Sequence, residues 1–94
     1  MNHVIDSEEF WPKYYDLPPS VQRKADKRYE ILKEHPEHPA LAFQKRCDTP
    51  AGALFKANVD KQYRALALQI GPNLYEWFWI GEHDEYDRLL DLFC

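Results

Sequence analysis

A guanidinium, an imidazole and a phenol stand in the second half of this sequence: Arg64 in "YRALALQI", and His83 and Tyr86 in "GEHDEY". Arg64 carries a planar fork able to hold two phosphate oxygens. His83 belongs to the residue type whose ordinary pKa lies near neutrality, so it can give or take a proton. Tyr86, about one helical turn further on, can stack on a base or donate its phenolic proton. Such a set suits the cleavage of RNA by its own 2′-hydroxyl. That reaction needs a base for the hydroxyl proton, a cation for the crowded phosphate and an acid for the leaving oxygen. It calls for no metal and no cofactor.

Each of these residues has a plainer use. Arg64 can pair with Glu82, Asp84 or Glu85, and exposed ion pairs of that kind are common without any activity. His83 can be a surface residue ahead of a helix, and Tyr86 can be a packing residue on a half-buried helix face. The spacing alone leaves both sets of readings open.

The charge is unevenly laid out. Over the whole chain 12 Lys and Arg face 16 Asp and Glu, a net charge of −4. Residues 41–70 nevertheless hold 5 basic and 2 acidic side chains, while residues 71–94 hold 1 and 6. Binding a polyanion needs a basic face, so an RNA contact must rest on that middle segment: Lys45, Arg46, Lys56 and Lys61, beside Arg64.

The elements that would position these groups follow from periodicity. "SEEFWPKYYDL" predicts a short helix with Ser7 as N-cap and a regular start near Glu9, because Pro12 suits only a first turn. From Pro19 to His35, Val21, Ala25, Tyr29 and Leu32 lie on one helical face. The break at "LPPS" makes the two an antiparallel helical hairpin. "EHPEHP" reads as a stiff extended linker, and its His35 and His38 are too few for a metal site. Strands follow at "LAFQK", "LFKANV", "YRALALQI" and "LYEWFWI". The turn "GPN" joins the last two into a hairpin with Leu68 opposite Glu76, Leu66 opposite Phe78 and Arg64 opposite Ile80. Alternation puts Leu74, Phe78 and Ile80 on one face of the final strand and Tyr75, Trp77 and Trp79 on the other, so the strand is interior. "DEYDRLLDLF" closes the pattern as an acidic helix with Asp84 as N-cap.

The reading is therefore one α+β domain over residues 1–94. An N-terminal helical hairpin packs on a three- to four-stranded antiparallel sheet, followed by a short C-terminal helix. No apolar run approaches the roughly 18 to 20 residues that cross a bilayer, and the N-terminus lacks a signal-peptide layout, which points to the cytoplasm and away from a membrane. Cys47 and Cys94 have no motif spacing and read as reduced thiols.

The segments "FWPKYYDLPPSVQRKADKRYEILKEHPEHPALAFQK", "YRALAL" and "YEWFWIGEHDEYDRLL" resemble the RelE/ParE toxin superfamily of type II toxin–antitoxin systems, over roughly residues 7–90. The resemblance implies the layout above with a very short first strand at "HVI". It implies a ribosome-dependent mRNA endoribonuclease, or mRNA interferase, that blocks translation without a cofactor. It also implies a cognate antitoxin as partner in a toxin–antitoxin hetero-oligomer, and mRNA on the ribosome as the other partner. By its motifs Arg64, His83 and Tyr86 are the catalytic candidates, with Lys56 and Lys61 weaker matches among the RNA-binding ones. The superfamily also holds toxins that poison DNA gyrase without cutting RNA, and relatives that have lost toxicity. The acidic charge, and Asn58 where relatives carry an arginine, match those alternatives.

Overall fold

The most apolar strands occupy the middle of the sheet, and everything else is laid against them. The computed structural model describes residues 1–94. Its elements run β1 (Asn2–Ile5), α1 (Ser7–Tyr15), α2 (Pro19–Glu34), β2 (Gln44–Thr49), β3 (Gly52–Asn58), β4 (Tyr63–Gly71), β5 (Leu74–Glu82) and α3 (His83–Phe93). The five strands form one sheet in the order β1-β5-β4-β3-β2. β1 runs parallel to β5 and the other pairs are antiparallel. Five strands replace the expected three to four, because β1 at "NHVI" is too short to show alternation and gains its ladder only from β5.

The sheet is covered on both faces. On one, Phe10 and Leu17, with Val21 and Leu32 of α2, close over Ala57, Ala65, Tyr75, Trp77 and Ile80. On the other, Tyr86 of α3 packs with Leu54, Leu66 and Trp79, joined by Leu89 and Leu90. Leu54 and Leu66 are fully buried, and each such leucine stabilises the fold by about 1.5 to 3 kcal/mol. The two N-terminal helices rest on the sheet, α1 approaching β5 most closely. They are tied to each other by Tyr14 Oη, which donates to Asp26 Oδ1 at 2.7 Å. The third helix belongs to the opposite layer.

Both N-terminal helices begin where local chemistry allows. The Asp6 carboxylate, not Ser7, caps α1 by accepting the N–H groups of Glu8 and Glu9 at 3.2 and 3.3 Å. The helix is regular from Ser7, and Pro12 lies inside it rather than in its first turn. α2 opens with Pro19 at its first position, where a missing N–H costs nothing. "EHPEHP" is not extended: His38 N–H donates to His35 O and Leu41 N–H to His38 O, at 3.0 and 3.1 Å, so the linker folds into turns. These deliver Leu41 to the core, and the strand expected at "LAFQK" starts only at Gln44.

Two further features of the fold, a strand bulge and a disulfide, bear on function. Ala67 faces Trp77 and Leu66 faces Trp79, which leaves Phe78 as an extra residue in β5. This bulge reverses the phase of the strand. Tyr75, Trp77 and Ile80 thus turn towards α1 and α2, while Phe78 and Trp79 turn towards α3. Leu68 does face Glu76, but Arg64 faces Gly81 rather than Ile80. Secondly, Cys47 and Cys94 are not free thiols. They form a disulfide across 47 positions of sequence, because β2 and the end of α3 are brought together only by the fold.

Candidate anion-binding site

β3 and β4 pair Lys56 with Leu66 and Asn58 with Arg64. Residues two apart on a strand share a face, so Lys56, Asn58 and Arg64 lie on the face that carries Leu54, Leu66 and, from α3, Tyr86. Arg46 joins them from the edge: it is the extra residue where the β2–β3 register shifts between Lys45 and Cys47. Its charge acts on both Lys56 and Tyr86. Three cations and a phenol are thus gathered on one side of the sheet.

Lys56 is only 9% exposed. Its Nζ donates to Asn58 Oδ1 at 3.0 Å. Burial lowers its pKa from the ordinary lysine value, and the Arg64 and Arg46 guanidiniums lower it further. Arg64 is half-buried and its Nη1 donates to the carbonyl oxygens of Asp60 and Tyr63, at 2.6 and 3.1 Å. A guanidinium has five N–H donors, so Nε and Nη2 remain able to fork an anion while the turn holds the other corner. Neither Arg46, Lys56 nor Arg64 forms an ion pair with a carboxylate. The expected competitor for Arg64, an acid of the terminal helix, does not take it.

Tyr86 is 7% exposed, and burial raises its pKa, against the pull of the Arg46 and Arg64 charges. It is therefore a neutral phenol and a hydrogen-bond donor around neutral pH. Its packing role and its place beside the cations coexist: the ring rests on Leu54, Leu66 and Trp79 while the guanidinium charges reach it.

His83 is differently placed. It is the first residue of α3, Glu82 rather than Asp84 being the N-cap, and its backbone N–H donates to Gln62 O at 2.7 Å. The main chain thus stands beside the loop that leads into Arg64. Its ring, however, is exposed and turned to its own helix, with Nδ1 3.3 Å from Asp84 Oδ1 and 3.9 Å from Asp87 Oδ2. Of the remaining basic candidates, Lys45 pairs with Asp48 at 2.7 Å, and Lys61 is exposed in the β3–β4 turn.

Two contributors were not among the candidate site residues. Asn58 supplies the acceptor for Lys56. Asp60 builds the turn that grips Arg64: its Oδ1 accepts the N–H groups of Gln62 and Tyr63 at 2.8 and 2.9 Å, and Oδ2 pairs with Lys24 at 3.2 Å. The signal was present, since an aspartate before two polar residues and a strand is an Asx-turn pattern. An apolar cavity of about 90 Å³ between α1, α2 and the sheet lies on the opposite face and is lined by core side chains such as Phe10, Leu32 and Trp77.

No family model matches the sequence, and no curated protein matches it. Among solved structures, it is similar to RelE in the archaeal RelE–RelB complex from Pyrococcus horikoshii OT3. The likeness covers 86% of this chain and 92% of that one, with a TM-score of 0.64 at 16% sequence identity. At that identity it is the path of the backbone that is shared. This chain has the RelE fold.

Proposed function

We propose that this chain is a RelE-type toxin that cleaves mRNA on the ribosome and is restrained by an antitoxin, working in the cytoplasm. The observation that carries the reading is the unpaired set Arg46, Lys56 and Arg64 around Tyr86. Like charges crowded without a counter-charge oppose one another, and a phosphodiester is the ligand that relieves this. The likeness to RelE, solved with RelB, supports a toxin with an antitoxin partner.

Arg64 and Arg46 would hold the non-bridging oxygens of the scissile phosphate and stabilise the charge that grows there in the transition state. Lys56 suits the base better than His83 does. It stands within the cluster, and its lowered pKa raises the share of neutral amine able to take the 2′-hydroxyl proton. Tyr86, as the neutral phenol, would protonate the leaving 5′-oxygen or stack on a base. His83, Lys45 and Lys61 would border the strand path, where exposed cations guide a polyanion.

A second reading, a toxin that binds a protein such as gyrase and cuts no RNA, is favoured by the net charge of −4. Expression in bacteria separates the two. The nuclease reading expects growth arrest with new 5′ ends in transcripts, both abolished by Arg64→Ala. Arrest with intact transcripts and chromosomal breaks would transfer the assignment to the second reading.

A further inference from the structure

We propose that the Cys47–Cys94 disulfide is a reversible thiol–disulfide lock that decides whether α3, and with it Tyr86, is held at the cationic cluster. The bond joins β2 directly beside Arg46 to the residue that follows α3. One end of the lock thus neighbours Arg46, and the other closes the helix that carries Tyr86.

The rest of α3's attachment is slight. Its two ion pairs, His83 with Asp84 and with Asp87, lie within the helix itself. Its N-cap makes no side-chain hydrogen bond, and its last turn has no basic residue to complement the carbonyl end. Apart from the His83 N–H to Gln62 O bond, no hydrogen bond ties α3 to the sheet: Cys47 Sγ lies 3.9 Å from Phe93 O, but in the disulfide it has no proton to donate. What remains is the apolar contact of Tyr86, Leu89 and Leu90 with Leu54, Leu66 and Trp79, and of Phe93 with Phe78. Opening the disulfide removes the tether from the helix end farthest from its anchored start. A helix of 11 residues is marginal in water without tertiary contacts, so the order of α3 depends on those few apolar contacts and on the tether.

The chemistry is exchange with a low-molecular-weight thiol and its disulfide. A thiolate RS⁻ attacks Sγ of Cys94, which is exposed, forming a mixed disulfide and expelling Cys47 as thiolate. A second RS⁻ attacks the mixed disulfide, giving RSSR and two cysteine thiols once protons are taken up. The protein gains two electrons and two protons, RSH loses them, and RSSR drives the reverse.

In the oxidised state α3 is docked and the cluster is complete. In the reduced state α3 is released, Tyr86 leaves, and Leu54, Leu66 and Trp79 are uncovered. The effect on RNA rests on the function proposed above, whereas the release of α3 does not.

Amide hydrogen exchange on the full chain, in buffers poised with a glutathione-type couple from oxidising to reducing, reads the lock. Alkylation and mass measurement count thiols in parallel. The expected result is amides of residues 85–93 exchanging at least tenfold faster when two thiols are counted, with β3, β4 and β5 amides unchanged. Cys47→Ser should show the fast pattern in every buffer, which separates loss of the bond from other effects of reductant. Equal exchange of α3 in both states, joint loss of sheet and helix protection, or thiols that stay free in the oxidising buffer would each overturn the lock. Binding of a short single-stranded RNA, read by fluorescence anisotropy, should weaken at least fivefold on reduction. A lock that opens without any change in RNA binding would leave the switch standing and count against the nuclease reading.

Discussion

Nη1 of Arg64 donates to the carbonyl oxygen of Asp60 at 2.6 Å, so the residue aimed at the phosphate is steered by a turn outside the cluster. Asp60 holds that turn through its carboxylate, whose pKa is lowered: burial opposes ionisation, but the N–H groups of Gln62 and Tyr63 and the Lys24 ammonium outweigh it. Asp60→Ala should cost about 1 to 3 kcal/mol of stability, the range for leaving such donors unpaired. It should also lower RNA cleavage, although Asp60 touches no phosphate. Denaturant unfolding alongside a cleavage assay checks both, and Asp60→Asn should recover part of each.

Lys56 sits against the stability of the fold. Replacing it by Met removes a buried charge opposed by Arg64 and Arg46, and should leave the melting temperature unchanged or raised. Cleavage should fall by about 10² or more, the scale for losing one pre-placed catalytic group. A thermal melt that drops by several degrees would mean that Lys56 is structural.

Gly81 faces Arg64 across β4 and β5. A Cβ at this position would stand 2.6 Å from Cζ2 of Trp79, which is 3% exposed. Gly81→Ala should therefore push the indole into the layer under Tyr86, costing about 1 to 3 kcal/mol as overpacking does. A shifted tryptophan emission maximum and a lower unfolding midpoint are the expected readouts.

His3 makes the fold sensitive to acid. Its Nδ1 accepts the Trp77 indole N–H at 3.0 Å, while Nε2 is buried without a partner. Burial lowers its pKa below the ordinary 6.5, helped by the charge of the N-terminus. The folded state thus prefers the neutral ring. This contribution is whole above pH 6.5 and is lost as the pH falls from there through the folded-state value. Urea midpoints should decline between pH 7.5 and pH 5, and the decline should shrink in His3→Gln.

Much of this was legible in the sequence where a pattern is local. The α2 stripe, the Pro72–Asn73 turn and the three long strands follow from periodicity and turn chemistry. What escaped depends on contacts between distant segments. β1 exists through β5, the Phe78 bulge is set by how Trp77 and Trp79 divide between two layers, and the disulfide pairs residues 47 positions apart. For the site, Arg64 and Tyr86 were readable as a pair of types. The buried place of Lys56 was not, because a lysine inside "LFKANV" reads as the solvent side of an alternating strand. His83 was read as a partner of Arg64 by its neighbourhood in the chain, yet its ring follows Asp84 and Asp87.

The chemistry of the cut ends tests the central claim most directly. Translating ribosomes carrying a defined mRNA should, with the wild-type protein, yield fragments bearing a 5′-hydroxyl and a 2′,3′-cyclic phosphate or 3′-phosphate. That is the outcome of 2′-hydroxyl attack. Lys56→Met and Arg64→Ala should yield almost none. Intact mRNA with the wild-type protein, or fragments beginning with a 5′-phosphate, would contradict the assignment of Arg46, Lys56, Arg64 and Tyr86 to RNA cleavage.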